Sequence, residues 1–214
     1  MPQFILLYLP DDHTGGVKKG YPTPSASVAD NDLALGRVVE AVSHSAYWDD
    51  TAIFVIEDDA QDGPDHVDAH RSIALVISKY SPRRIEKDKL VPFVDHTFYS
   101  TVNMVHSMER LLDVPPMNNN DGRAALMAPL FSGSGNQPAY NADRRNLENK
   151  LIYQVNARDS AEARLLDFSR PDASDAGLLN RMLWKDRMGN RPMPVPRRAM
   201  LLRLTDFQAM AGTN

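Results

Sequence analysis

Three short, unbroken apolar runs constrain this chain more than any other feature: Phe4-Ile5-Leu6-Leu7-Tyr8-Leu9, Ala52-Ile53-Phe54-Val55-Ile56 and Ile73-Ala74-Leu75-Val76-Ile77. Each is continuous rather than alternating and rich in branched or aromatic residues. That pattern predicts strands covered on both faces, as in a parallel sheet packed under helices. Between the first two runs, Leu35, Val38, Val39 and Val42 recur at i, i+3, i+4 and i+7, the spacing of a helix face. A strand–helix–strand order of this kind predicts an α/β layered fold, with a mostly parallel sheet covered by helices and a right-handed crossover.

Further along, Met104, Val105, Met108, Leu111 and Leu112 share one face of a helix expected over about 97–113, stopped by Pro115-Pro116. From Met117 to about Ala173 the pattern weakens. Asn118-Asn119-Asn120-Asp121-Gly122 and Ser132-Gly133-Ser134-Gly135 read as exposed turns. A last short helix is expected over about 174–187, with Leu178, Leu179, Met182 and Leu183 as its apolar stripe. The prolines of Pro192-Met193-Pro194-Val195-Pro196 then forbid helix or inner strand. No internal repeat is present. At 214 residues, the chain has the size of one domain of roughly 150 residues with an appended segment.

Composition narrows the chemistry. The absence of cysteine excludes disulfides, thiolate catalysis and Cys-ligated zinc or iron–sulfur centres, so any metal must be held by His, Asp and Glu. A net charge of −4 gives no electrostatic reason to expect nucleic acid as a partner. The longest apolar run, Phe4–Leu9, is far short of the roughly 20 residues a membrane span requires. Met1-Pro2-Gln3 offers no basic region ahead of that run, so no secretory signal is expected, and the compartment stays open.

The segment from Ile56 to His70 is the richest in chemistry, with six acidic residues (Glu57, Asp58, Asp59, Asp62, Asp65, Asp68) and two histidines (His66, His70). It starts where a predicted strand ends, and ligands of open α/β sheets bind beyond the carboxyl ends of strands. Carboxylate oxygens and imidazole nitrogens suit a divalent cation, Zn²⁺, Mn²⁺, Fe or Mg²⁺. Ca²⁺ is disfavoured, because imidazole is a poor ligand for it and the EF-hand spacing is absent. A solvated acidic turn around Asp62-Gly63-Pro64-Asp65 is the competing explanation. The first run ends in the same way, in Leu9-Pro10-Asp11-Asp12-His13-Thr14-Gly15-Gly16. Taken alone this is a polar loop; the two loops together favour one shared site.

His96, in Phe93-Val94-Asp95-His96-Thr97, stands beside the expected helix start and suits either a capping or a ligand role. His44 and His106 fall within or at the end of helical patterns and read as satisfied or exposed helix histidines. No G-x-S-x-G elbow, G-x-G-x-x-G loop or Walker A loop occurs. Arg83-Arg84-Ile85-Glu86-Lys87-Asp88-Lys89 mixes charge signs and reads as a solvated face.

Several of these stretches together resemble the phosphoesterase branch of the alkaline phosphatase superfamily, which includes bacterial phospholipases C and acid phosphatases. The resemblance is carried by Leu9 to Thr14, by Ser43-His44-Ser45-Ala46-Tyr47-Trp48-Asp49-Asp50-Thr51-Ala52, by Glu57-Asp58-Asp59 and by Asp65-His66-Val67. It continues through Asp95 to Thr101 and through Leu166-Asp167-Phe168-Ser169-Arg170, Leu179-Asn180, Trp184 and Pro192-Met193-Pro194. The most similar relatives bear a seven-bladed β-propeller ahead of the phosphatase-like domain.

The resemblance implies a site with one or two divalent metals at the carboxyl edge of a sheet. His13, Asp58, Asp59, His66 and His70 would be its ligands, with Asp12 and His96 as further candidates. A phosphate mono- or diester would be the substrate, its phosphoryl oxygens polarised by the cation for in-line displacement. It also implies that residues 1–130 form the C-terminal half of an incomplete phosphatase-like domain, with a loop-rich tail over 131–214. The family's nucleophile is expected upstream of Met1. An inert metal-binding or interaction fragment is therefore the alternative to an active hydrolase. Its expected partner is the N-terminal half of the same domain, or a second copy pairing through an open sheet edge formed by Phe4–Leu9 or Ile73–Ile77. Relatives are often exported.

Overall fold

The computed structural model describes residues 2–11, 14–57, 73–157, 160–169 and 173–194. The chain divides into two compact units. The first holds the described residues of Met1–Tyr8, Ala34–Ile56 and Ala74–Ala142; the second holds those of Leu9–Leu33, Glu57–Ile73 and Asp143–Asn214.

Helix α1 (Pro24–Ser43) contributes to both units, which divide between Leu33 and Ala34. It starts where it does for two reasons. Pro24 has no N–H to leave unsatisfied in the first turn, and the Thr23 hydroxyl oxygen accepts the Ala26 N–H at 3.2 Å. Ala26, Ala29, Leu33 and Val39 are its buried apolar positions. The helix expected around Leu35–Val42 is therefore present, and extends further toward the N-terminus than its valine stripe signals.

In the first unit, β1 (Ala52–Ile56) pairs with β2 (Ala74–Ser78) in antiparallel register from Ala52↔Ser78 to Ile56↔Ala74. A second hairpin joins β3 (Arg83–Glu86) to β4 (Lys89–Pro92). Its two-residue turn places Lys87 and Asp88 at φ 48° and 59°, the left-handed pair that a primed turn requires. The molecule thus mixes helices with small sheets, and the α/β class stands. The expected mostly parallel sheet does not: among the described residues both sheets are two-stranded and antiparallel. Continuous apolar runs report burial, not strand direction, and even the burial is partial here. Ile56 and Leu75 remain 43% and 41% exposed.

The first run departs furthest from expectation. Phe4–Leu9 forms no strand, and Phe4 to Tyr8 are each more than half exposed, Leu6 at 86%. Without it the strand–helix–strand crossover loses its first member.

Helix α2 (Thr101–Leu112) is framed by local chemistry at both ends. The Ser100 N–H donates to Asn103 Oδ1 at 2.8 Å, and Asp113 closes the helix in the left-handed conformation at φ 54°. Pro115 and Pro116 forbid a further turn. The short helix α3 (Asn119–Arg123) folds back on α2, with the Ser107 hydroxyl accepting the Met127 N–H at 2.9 Å. Trp48 is buried in this unit; its Nε1–H donates to the Gln137 carbonyl at 3.2 Å, and its ring meets Tyr140 edge-on at 6.1 Å.

In the second unit, the single turn α4 (Arg145–Glu148) leads toward helix α5 (Ala176–Met188), which the Asp175 carboxylate caps. Leu179 and Met182 of α5 bury against Ala163 and Leu166, with Val17, Phe168, Leu178 and Leu183 packed around them. No helix among the described residues is long and apolar enough to cross a membrane.

Candidate functional site

The two segments expected to carry ligands are each anchored by described residues. Antiparallel pairing brings Ile56 opposite Ala74, and the Glu57 N–H donates to the Ile73 carbonyl at 3.3 Å. The acidic stretch is therefore the connection within a hairpin, held at both ends, rather than a crossover between parallel strands. The other segment leaves Leu9, whose carbonyl accepts the Asn31 Nδ2–H at 3.2 Å. It re-enters at Thr14, a buried residue whose hydroxyl accepts the Gly16 N–H at 3.0 Å.

Beyond Thr14 the loop is fastened from several sides. Gly16 sits at φ +63°, where a Cβ would meet Met182 Sδ at 3.2 Å and Leu179 Cδ1 at 3.3 Å. The Val17 N–H points at the same sulfur at 3.3 Å, and the Val17 carbonyl accepts the Ser160 N–H at 3.3 Å. Pro22 bridges to Val155. Asn156, 7% exposed, directs Nδ2 at the carbonyls of Gly16, Tyr21 and Pro22 at 3.2, 3.2 and 3.1 Å. Sequence reasoning missed Asn31 and Asn156. Each is a lone asparagine, and Asn156 lies 140 residues from the glycine it holds; no local pattern marks it.

Asp12, His13, Asp58, Asp59, His66 and His70 lie outside the described residues. His96 is described and exposed, in the first unit. Beside it, the Asp95 carboxylate accepts the Thr97 N–H at 2.9 Å and the Tyr99 hydroxyl at 3.0 Å. The Thr97 N–H, with its hydroxyl and that of Tyr99, holds the Asp95 carboxyl below its ordinary value. Burial, reinforced by the Asp95 charge, raises the Tyr99 phenol.

His44 is the residue that follows the last residue of α1, and His106 lies within α2. Their Nδ1 atoms lie 2.8 Å from the Glu40 carbonyl and 2.7 Å from the Ala124 carbonyl. A carbonyl only accepts, so the proton belongs on Nδ1 in both rings.

Two carboxylates meet between α2 and α3. Glu109 Oε1 and Asp121 Oδ2 both accept the Met117 N–H, at 3.2 and 3.1 Å, and both residues are buried. Burial pushes the Asp121 carboxyl up, but the N–H groups of Asn118, Gly122 and Met117, with the Glu109 carboxyl, outweigh it and hold it low. Such a carboxylate serves as a helix cap. Among the described residues no group of three or more His, Asp or Glu gathers as a metal site would require. The donor chemistry of the expected set, imidazole and carboxylate without thiol, fits a divalent cation of the Zn²⁺, Mn²⁺, Fe or Mg²⁺ type. No protein-family model, curated protein or solved structure matches this chain.

Proposed function

We propose that the chain carries the metal-ligating part of a phosphoesterase that hydrolyses phosphate mono- or diesters. Asp58 and Asp59 would hold a divalent cation together with His13, His66 and His70, with Asp12 and His96 as outlying candidates. One observation carries the reading: six acidic residues and two histidines crowd the stretch from Glu57 to His70, in a connection whose two ends are tied together by the Glu57–Ile73 hydrogen bond. A bound cation would offset the mutual repulsion of so many like charges in so short a stretch. The family resemblance supplies the reaction class, and a bound cation would polarise the phosphoryl oxygens.

The N-terminal half of the same domain, or a second copy, would add a strand to an edge of the β1–β2 hairpin. The ester substrate and that strand are the partners proposed.

The test is hydrolysis of p-nitrophenyl phosphate and bis-p-nitrophenyl phosphate with Zn²⁺, Mn²⁺ or Mg²⁺ added, alongside metal analysis of the purified protein. Metal retention that Asp58→Asn weakens is the expected result for the chain alone, with metal-dependent turnover appearing when the N-terminal half of the domain is added. Folded protein that neither retains metal nor turns over either ester refutes the assignment. Binding should weaken as pH falls through about 6.5, where imidazoles take up protons and cease to be ligands.

A further inference from the structure

Five consecutive large side chains, Phe4, Ile5, Leu6, Leu7 and Tyr8, stand open at 56, 58, 86, 55 and 74%. Among the described residues no main-chain hydrogen bond joins any of the five to another segment. Successive residues of a strand point to opposite faces, so this segment would be apolar on both faces wherever it found a partner. At about 150–250 Å² for a large side chain, the five leave open roughly 600 Å² of contiguous apolar surface, the upper end of what a monomer exposes.

The segment itself selects the partner. From Pro2 to Pro10 it carries no Asp, Glu, Lys, Arg or His, so setting it against an identical copy brings no like charges together. Pro2 and Pro10 stand four residues to either side of Leu6, and proline, lacking an N–H, ends a pairing ladder. An antiparallel ribbon with a two-fold axis at Leu6 therefore stops at both ends in the same register. In that register Phe4 lies opposite Tyr8 of the second copy, and Ile5 opposite Leu7, each pairing occurring twice.

We propose that Phe4–Tyr8 is a self-association surface whose partner is the same segment of a second copy of this chain, paired antiparallel about Leu6. Two copies offer together about 1,200 Å², the low end of specific interfaces, so the association is weak and depends on concentration. The surface is independent of the cation reading, and a chain that holds no metal would still pair.

Sedimentation equilibrium of the full chain from about 10 to 500 µM should show a reversible monomer–dimer equilibrium. Leu6→Lys and Leu6→Glu each set like charges across the axis and should weaken dimerisation about tenfold or more. Mixed in equal amounts, the two variants should dimerise again, since opposite charges then meet at the axis. Leu6 is the most exposed of the five, so both variants should keep the wild-type far-UV spectrum and melting midpoint. A wild-type chain that stays monomeric over that range overturns the proposal and leaves the segment to another part of the same domain. Polydisperse aggregates in place of a dimer overturn it too. So does a mixture no more dimeric than either variant alone, which would assign the association to another surface, such as an edge of β1–β2.

Discussion

Two glycines in one loop allow a controlled measurement of how tightly that loop is packed. Gly16 and Gly20 both occupy the left-handed region, at φ +63° and +81°. Alanine at either position pays the same kind of backbone strain, about 1 kcal/mol. Their surroundings differ. A Cβ on Gly20 meets nothing within 4 Å, whereas on Gly16 it presses on Met182 Sδ at 3.2 Å and Leu179 Cδ1 at 3.3 Å, both core atoms of the second unit. Overpacking of this kind adds about 1–3 kcal/mol. Gly16→Ala should therefore destabilise by about 2–4 kcal/mol and Gly20→Ala by about 1 kcal/mol. In a chain of this length each kcal/mol lowers the melting midpoint by about 2–4 °C. Urea unfolding read by Trp184 fluorescence, in a protein whose second tryptophan is Trp48, follows the unit that holds Gly16. The slope against urea should stay constant while the midpoint moves. Equal losses in the two variants, or a Gly16→Ala protein within about 0.5 kcal/mol of wild type, would refute the packing argument.

Other perturbations test other parts of the molecule. Trp48→Phe strands the Gln137 carbonyl that now accepts Nε1–H at 3.2 Å, and should cost about 1–3 kcal/mol by chemical denaturation; a neutral substitution would contradict that hydrogen bond. Asp113→Gly relieves a side chain held at φ 54° beyond α2 and should raise stability by about 0.5–1 kcal/mol, measured as a higher midpoint. The Asp95 carboxyl, held low by the Thr97 N–H foremost, should titrate by carbon-detected NMR below the usual carboxylate value of about 3.9. Because its folded value is depressed, its stabilising contribution is fully present above the unfolded value and is lost as pH falls through the folded one. Asp95→Asn should flatten that acid limb of the melting profile, and titration at or above about 3.9 would contradict the hydrogen-bonding account.

Local chemistry was legible where it is self-contained. The prolines after Asp113 end α2, and the stripe that includes Leu179 and Met182 lies on α5. The strands at Ala52–Ile56 and Ala74–Ser78 were also foreseeable from their branched residues, but their antiparallel sense was not. A run of apolar side chains records how much cover a strand seeks and leaves its direction to the connection. Phe4–Leu9 shows the limit of that logic, since an identical pattern ends exposed and unpaired with any strand among the described residues. The asparagine anchors were invisible for a different reason. Asn156 acts by meeting three carbonyls that only tertiary folding brings to it.

The ladder that ties Ile56 to Ala74 also bears on the length of the connection it closes. Closure entropy grows slowly, at about 0.6 kcal/mol for each doubling of the enclosed length. As far as closure entropy is concerned, a change in the length of the connection from Glu57 to Ile73 costs folding little, while a change at the Ile56–Ala74 rung costs a pairing.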